Sequence, residues 1–277
     1  MLYRNIFNRM PIMTAFAIPD VQNHPDLRRI PIREVGIKGL RHPLAIRQPD
    51  GQLQHTIADC QLTVALPATQ KGTHMSRFVA LMHEQQAALD AEGFETLVRA
   101  TAARLESDSA RIRLSFPYFR HKTAPASGVV SLLDYQVCLD GSLQHGHYRY
   151  RLQVTVPVTS LCPCSKQISR YGAHNQRSHI IIEAEANNRL NADTLIELAE
   201  AQASCQLYGL LKRSDEKVVT EQAYDNPKFV EDLVRDVAVA LQGVAGIRHF
   251  VVSSENFESI HNHSAYARID SRDLQAS

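Results

Sequence analysis

The densest run of residues able to do chemistry is 158–178, VTSLCPCSKQISRYGAHNQRS. It holds Cys162, Cys164 and His174. Two thiols and an imidazole are good donors to a metal of borderline softness. With His179 added, four ligands could close a structural zinc site, whereas a catalytic site keeps a position open. Spacing alone does not separate the two, and a lone cysteine is commonly just a small buried hydrophobe. The run is too long for an ordinary hairpin loop, and long loops in compact domains are usually functional or disordered. Leu161, Ile168 and Tyr171 give it apolar anchors, which argues against disorder.

Three further clusters carry polar chemistry. In SENFESIHNHSAY (254–266), His261 and His263 are two apart, so on an extended segment they face the same side. Histidine suits proton transfer near neutral pH, though a solvated polar loop is the plain alternative. In LLKRSDEKVVTEQAYDNPKFVEDLVRDVA (210–238), Glu216 reads as part of an interhelical loop and offers a carboxylate oxygen ligand. Glu231 falls between Val230 and Leu233 in the first turns of the last helix, and is expected to be partly buried. Such a carboxylate needs hydrogen-bond donors, from the chain or from a ligand. Asp232, Arg235 and Asp236 read as solvated surface. In QKGTHMSRF (70–78), Thr73 or His74 would cap a helix over 75–88. Lys71, Ser76 and Arg77 are placed either to meet an anion there or simply to flank an ordinary cap.

These clusters need elements to position them. A weak strand over 36–48 ends at the turn Pro49-Asp50-Gly51, and Cys60, Leu62, Val64 and Leu66 alternate as a half-buried strand should. Met75, Phe78, Val79 and Met82 have helical spacing, as do Phe94, Leu97, Val98, Ala102 and Leu105. Strand spacing returns at Ile112–Phe116, and a run around 132–139 ends at Asp140-Gly141, a hairpin signal. Tyr148, Tyr150, Leu152, Val154, Val156 and Val158 form the cleanest strand. Another strand covers 179–186. One following helix would carry Leu198, Ala201, Cys205 and Tyr208; the next would open at Asn226-Pro227 and bury Phe229, Val230, Leu233, Val237 and Leu241. RHFVVSSE and SAYARI close the chain as strands. Both halves thus run strand-strand-helix-helix-strand-strand. That order predicts an α+β fold, antiparallel sheets with helices packed on one face. The units are 20–144 and 145–277. Residues 1–19 read as an N-terminal extension that need not be ordered, with Met10 and Met13 as alternative starts. Open sheet edges are commonly joined between subunits, so oligomerisation is expected.

Composition narrows the function classes. Across 277 residues, 44% are apolar, enough for a core. Lys plus Arg is 30 against 29 for Asp plus Glu, so no broad basic field favours nucleic acid. No run approaches the roughly 20 apolar residues that span a bilayer. Five cysteines, an odd number, without a convincing signal peptide point to a reducing cytoplasm and no disulfide framework.

KGTHMSRF, PVTSLCPCSKQIS, YGAHNQRS, EAQASCQLYGLLKR, DEKVVTE, AYDNPKFVED and SENFESIHNHSAYA, in this order, resemble the GTP cyclohydrolase IB family across about 20–269. The resemblance implies a tunnelling fold used twice per chain, a homotetramer, and active sites at subunit interfaces. It implies a divalent ion (Mn²⁺, Fe²⁺ or Zn²⁺) held by Cys162, His174 and Glu216, with Glu231 anchoring the purine. His261 and His263 would lie near the imidazole ring that is opened, and His74 would face a neighbouring subunit's site. Cys164 matches a family cysteine that is not carried over as a ligand. The implied reaction converts GTP and water to 7,8-dihydroneopterin triphosphate and formate, the first step of folate biosynthesis. Lys71, Arg77, Lys166, Arg170 and Arg177 are candidates for the triphosphate. Two rivals remain: a tunnelling-fold nitrile reductase with Cys162 as nucleophile, and an inert binding protein with structural zinc.

Overall fold

The computed structural model describes residues 22, 24–187 and 190–275; the extension expected at 1–19 lies outside them. The first half comprises β1 (Ile32–Arg47), β2 (Leu53–Leu66), α1 (Met75–Glu84), α2 (Ala91–Arg104), β3 (Ser109–Thr123) and β4 (Val130–Gln144). In the second half come β5 (His147–Leu161), the short α3 (Pro163–Ile168), β6 (Asn175–Ala186), α4 (Ala192–Gln202) and β7 (Cys205–Gln206). They are followed by α5 (Arg213–Asp225), α6 (Val230–Gln242), β8 (Ile247–Asn256) and β9 (Ala265–Asp270). The first half keeps the expected order, while the second inserts α3 and β7 and carries three helices, α4, α5 and α6, between β6 and β8. The two halves share one sheet, β1-β2-β3-β4-β5-β6-β8-β9, with β7 on β5 and every named pairing antiparallel.

One face of this sheet is apolar and covered. Cys60, Leu62, Ile112, Leu114, Val154, Val156, Ile180, Ile182 and Val252 are buried. Phe78 and Met82 of α1, Phe94 and Val98 of α2, Ile196 of α4 and Leu233 and Val237 of α6 pack into the same core. Alternate residues face the other way, as a period of two requires. Among the described residues no helix is long and apolar enough to cross a membrane.

Several local expectations change. Asp140-Gly141 is not a turn: β4 runs through it to a tight turn at His145-Gly146. Gly141 is there because α2 comes down on the sheet. A Cβ at that position would stand 2.8 Å from the Phe94 ring and 2.9 Å from a Val98 methyl. α1 stops at Glu84 rather than near 88. α4 ends at Gln202, so Cys205 belongs to β7 and Tyr208 to a loop. The segment read as an interhelical loop contains a complete helix, α5, and Asn226 terminates it instead of starting the next. α6 begins at Val230.

Two buried polar ties join the halves. Asp215, in the first turn of α5, accepts from the Ala126 and Ser127 N–H groups (2.8 Å each), the Ser127 hydroxyl (2.6 Å) and the Lys212 N–H (2.8 Å). It thereby pins the β3–β4 loop to the second half. Lys122 of β3 is buried beside Glu200 of α4 (2.7 Å), which also accepts from the Tyr135 hydroxyl (2.6 Å). Gln206 of β7 accepts from the same ammonium.

Burial works against the Asp215 charge, but the bonds from Ser127, Lys212 and Ala126 outweigh it and hold the carboxyl well below the usual carboxylate range. A depressed folded-state value stabilises above the unfolded value of about 4 and is lost as pH falls through the folded one. Asp215→Asn should therefore lower the melting temperature at neutral pH. The gap from the parent should close progressively on acidification, as read by calorimetry across a pH series.

Candidate active site

At one end of the sheet the covered face turns polar. Following the buried row Val154, Val156, Val158 on β5, the next inward residue is Ser160; on β6 the row Ile182, Ile180 continues into Ser178 and Gln176; on β8, Val252 continues into Ser254 and Asn256. All of these polar residues are buried. Register aligns them, Ser160 opposite Gln176 and Ser178 opposite Asn256. Ser178 donates to Ser160 at 2.8 Å, and Ser254 to Asn256 at 3.1 Å. The catalytic candidates sit on the loops that leave this end.

Cys162 is half-buried at the N-cap of α3, with Pro163 at the first helical position. Its Sγ accepts from the Ser165 N–H at 3.4 Å. The Cys162 N–H donates to the His174 carbonyl (3.1 Å), so the loop closes on itself. Ser165 locks that closure, its hydroxyl donating to the Cys162 carbonyl (3.2 Å) and accepting from the His174 N–H (3.3 Å). On His174, Nδ1 lies 3.0 Å from Oε1 of the buried Gln176. A carbonyl oxygen can only accept, so this contact selects the Nδ1–H tautomer and leaves the Nε2 lone pair for a ligand.

The C-terminal cluster arrives at the same place. The Ser259 hydroxyl is 3.4 Å from His174 Nδ1, and the Phe257 N–H donates to the Arg177 carbonyl at 3.0 Å. His261 and His263 are on this loop, their rings stacked with centroids 5.0 Å apart. The junction of α5 and α6 docks there too: Lys228 N–H donates to the Leu161 carbonyl (3.0 Å), and Lys166 Nζ donates to the Tyr224 carbonyl (2.5 Å) while lying 4.3 Å from that ring's centre. Lys166 is therefore engaged within the chain. So is Arg77, which pairs with Glu106 at 3.3 Å, whereas Lys71, Arg170 and Arg177 are exposed.

Other candidates stay apart within one chain. Glu216 is exposed on the first turn of α5, not in a loop, and Glu231 is exposed on the first turn of α6 rather than partly buried. Half-buried His74 precedes α1 without capping it through its side chain. Among the described residues no group of three or more His, Cys, Asp or Glu side chains is placed to hold a metal ion. The four-ligand zinc cage is likewise not assembled: Cys164 is exposed, and His179 meets the Phe257 ring edge-on at 4.8 Å. Burial and the neighbouring Arg177 charge push the His179 pKa down, which favours its neutral form.

Ser160, Ser165, Gln176, Ser178, Asn256 and Ser259 were not singled out by motif reasoning. A signal existed for four of them: they continue the inward register of strands that are otherwise apolar. Removing the Gln176 acceptor should release His174, so Gln176→Leu is expected to shift the ring toward the Nε2–H tautomer in ¹⁵N NMR. A parent protein already in the Nε2–H form would contradict this geometry.

A family model for "Type I GTP cyclohydrolase folE2" matches residues 18–267. "GTP cyclohydrolase FolE2" of Paraburkholderia xenovorans (strain LB400) is 58% identical over 262 residues, covering 95% of this chain and 97% of that one. The protein of the same name from Paraburkholderia phymatum is 59% identical over 257 residues, covering 93% and 96%. Among solved structures, uricase from Arthrobacter globiformis aligns with a TM-score of 0.46 at 12% identity, covering 86% of this chain and 92% of that one. The motifs gathered on the loops at the polar end of the sheet all fall inside the matched span, and the chain belongs to the type I GTP cyclohydrolase FolE2 family.

Proposed function

We propose that this chain is a GTP cyclohydrolase that converts GTP and water to 7,8-dihydroneopterin triphosphate and formate, the first step of folate biosynthesis. The observation that carries the reading is the family match over 18–267. It is supported by the convergence of the Cys162–His174 loop with the loop bearing His261 and His263. Water adds to the carbon between the two imidazole nitrogens of guanine, and a C–N bond opens. The resulting formamide is hydrolysed to formate and an amine, which condenses with the rearranged ribose and releases water. One water is consumed overall.

A divalent metal fits part of the donor set. Cys162 presents a sulfur at a helix N-cap, and His174 presents Nε2 from a ring fixed by Gln176. Bound there, a divalent ion would lower the pKa of its water from about 15.7 to about 7. Glu216 does not join the pair within one chain. In our reading it reaches the pair from an adjoining copy in a homotetramer, where Glu231 would grip the donor edge of guanine. His261 or His263 protonates the departing ring nitrogen, a role typically worth about 10²–10⁴-fold.

Formate release and the fluorescence of the oxidised pterin, measured with GTP and Mn²⁺, test the activity directly. Chelation should abolish turnover and Mn²⁺ restore it; full activity after exhaustive chelation would refute the metal. Cys162→Ala and Glu216→Ala should each be inactive alone. If the site is shared between copies, dissociating and reassembling the two variants together should recover part of the activity. No recovery from proven mixed oligomers would place all three ligands on one chain.

A further inference from the structure

The duplication leaves a seam on the covered face of the sheet. α2 packs over β3 and β4, α4 packs over β5, and a cleft of about 220 Å³ lies between the N-termini of these helices. Its floor is made by Phe116 and Tyr118 of β3, Val137 and Leu139 of β4, and Tyr150 and Leu152 of β5. All six are buried. The space has a local cause. Tyr150 stands opposite Gly141 on one neighbouring strand and Ala186 on the other, so no large side chain flanks its ring in the sheet. Phe94 meets that ring edge-on from α2, with centroids 6.3 Å apart.

Tyr150 is 4% exposed and lines the cleft. A phenol that lines a cleft can donate to an acceptor that enters it. Burial also pushes its phenol pKa up, so it remains protonated and able to donate at neutral pH. At the rim, Arg47 and Asp90 supply one charge of each sign. Asp90 and Asn191 already turn their side-chain oxygens inward to cap α2 and α4. The mouth therefore selects for no net charge.

We propose that this seam is a binding site for a small, uncharged, flat ring compound carrying one hydrogen-bond acceptor for Tyr150. Size sets the class: an apolar protein cavity of about 150 Å³ takes benzene, so about 220 Å³ takes a substituted single ring or two fused rings. The site is distinct from the candidate active site. From Leu152 to Leu161, where the catalytic loop begins, β5 rises roughly 30 Å at about 3.3 Å per residue.

Acetophenone, an aromatic ketone, and ethylbenzene, which lacks the acceptor, are suitable probes against intact, methyl-labelled protein in NMR titrations. Acetophenone should saturably shift the methyl resonances of Val137, Leu139 and Leu152. Tyr150→Phe should weaken acetophenone about fivefold, the worth of one neutral hydrogen bond, and leave ethylbenzene binding unchanged. Absence of any methyl shift at millimolar acetophenone would overturn the proposal. So would shifts confined to other methyls, or an equal loss of both probes in the variant.

Discussion

The register between β5 and β6 is the constraint on which the rest depends. From Tyr150↔Ala186 to Leu161↔Asn175 the pairing continues without a bulge. A slip of one residue would turn every inward side chain of a strand to the opposite face. Here such a slip would expose Val154, Val156, Ile180 and Ile182, and it would also part Ser160 from Ser178. The hydrophobic core of the second half and the polar bed beneath the Cys162–His174 loop are thus fixed by the same ladder. Stability and site geometry are not independent properties of this sheet.

On that bed the loops are held mainly by backbone groups and small hydroxyls. Ser165 alone closes two of the contacts that bring Cys162 to His174. This gives the thiol and the imidazole fixed positions without spending a charged residue on the scaffold. The carboxylates follow a different logic. Glu216 and Glu231 both sit in the first turns of helices, exposed to whatever docks there. Within one chain the thiol and the imidazole share a loop, and neither carboxylate completes a group of three metal donors with them.

Long, strongly patterned elements were legible in the sequence. The alternation of β5 and the spacing of Phe94, Leu97 and Val98 in α2 translate directly into buried faces. What misled was local chemistry with more than one physical meaning. Asp140-Gly141 reads as a turn, but a glycine is equally demanded where a helix presses on a strand. Asn226-Pro227 reads as a helix start, yet the asparagine closes α5 and the next helix waits until Val230. α5 itself was hidden by its charge, since only Asp215 and Ala223 are buried in it. The role of Asp215 could not be read at all, because its partners Ala126 and Ser127 lie almost ninety residues away. The clustering of the site loops was legible only through the family resemblance; spacing alone left several metal and non-metal readings open.

That long-range carboxylate has a consequence for how the halves depend on each other. Here one module's hairpin donates three hydrogen bonds to an acid in the other's helix, and a lysine buried in one is neutralised by a glutamate of the other. Cutting the polypeptide at its midpoint would strand an ammonium and two carboxylates without their counterparts. Each half of the chain thus holds polar groups whose partners lie only in the other.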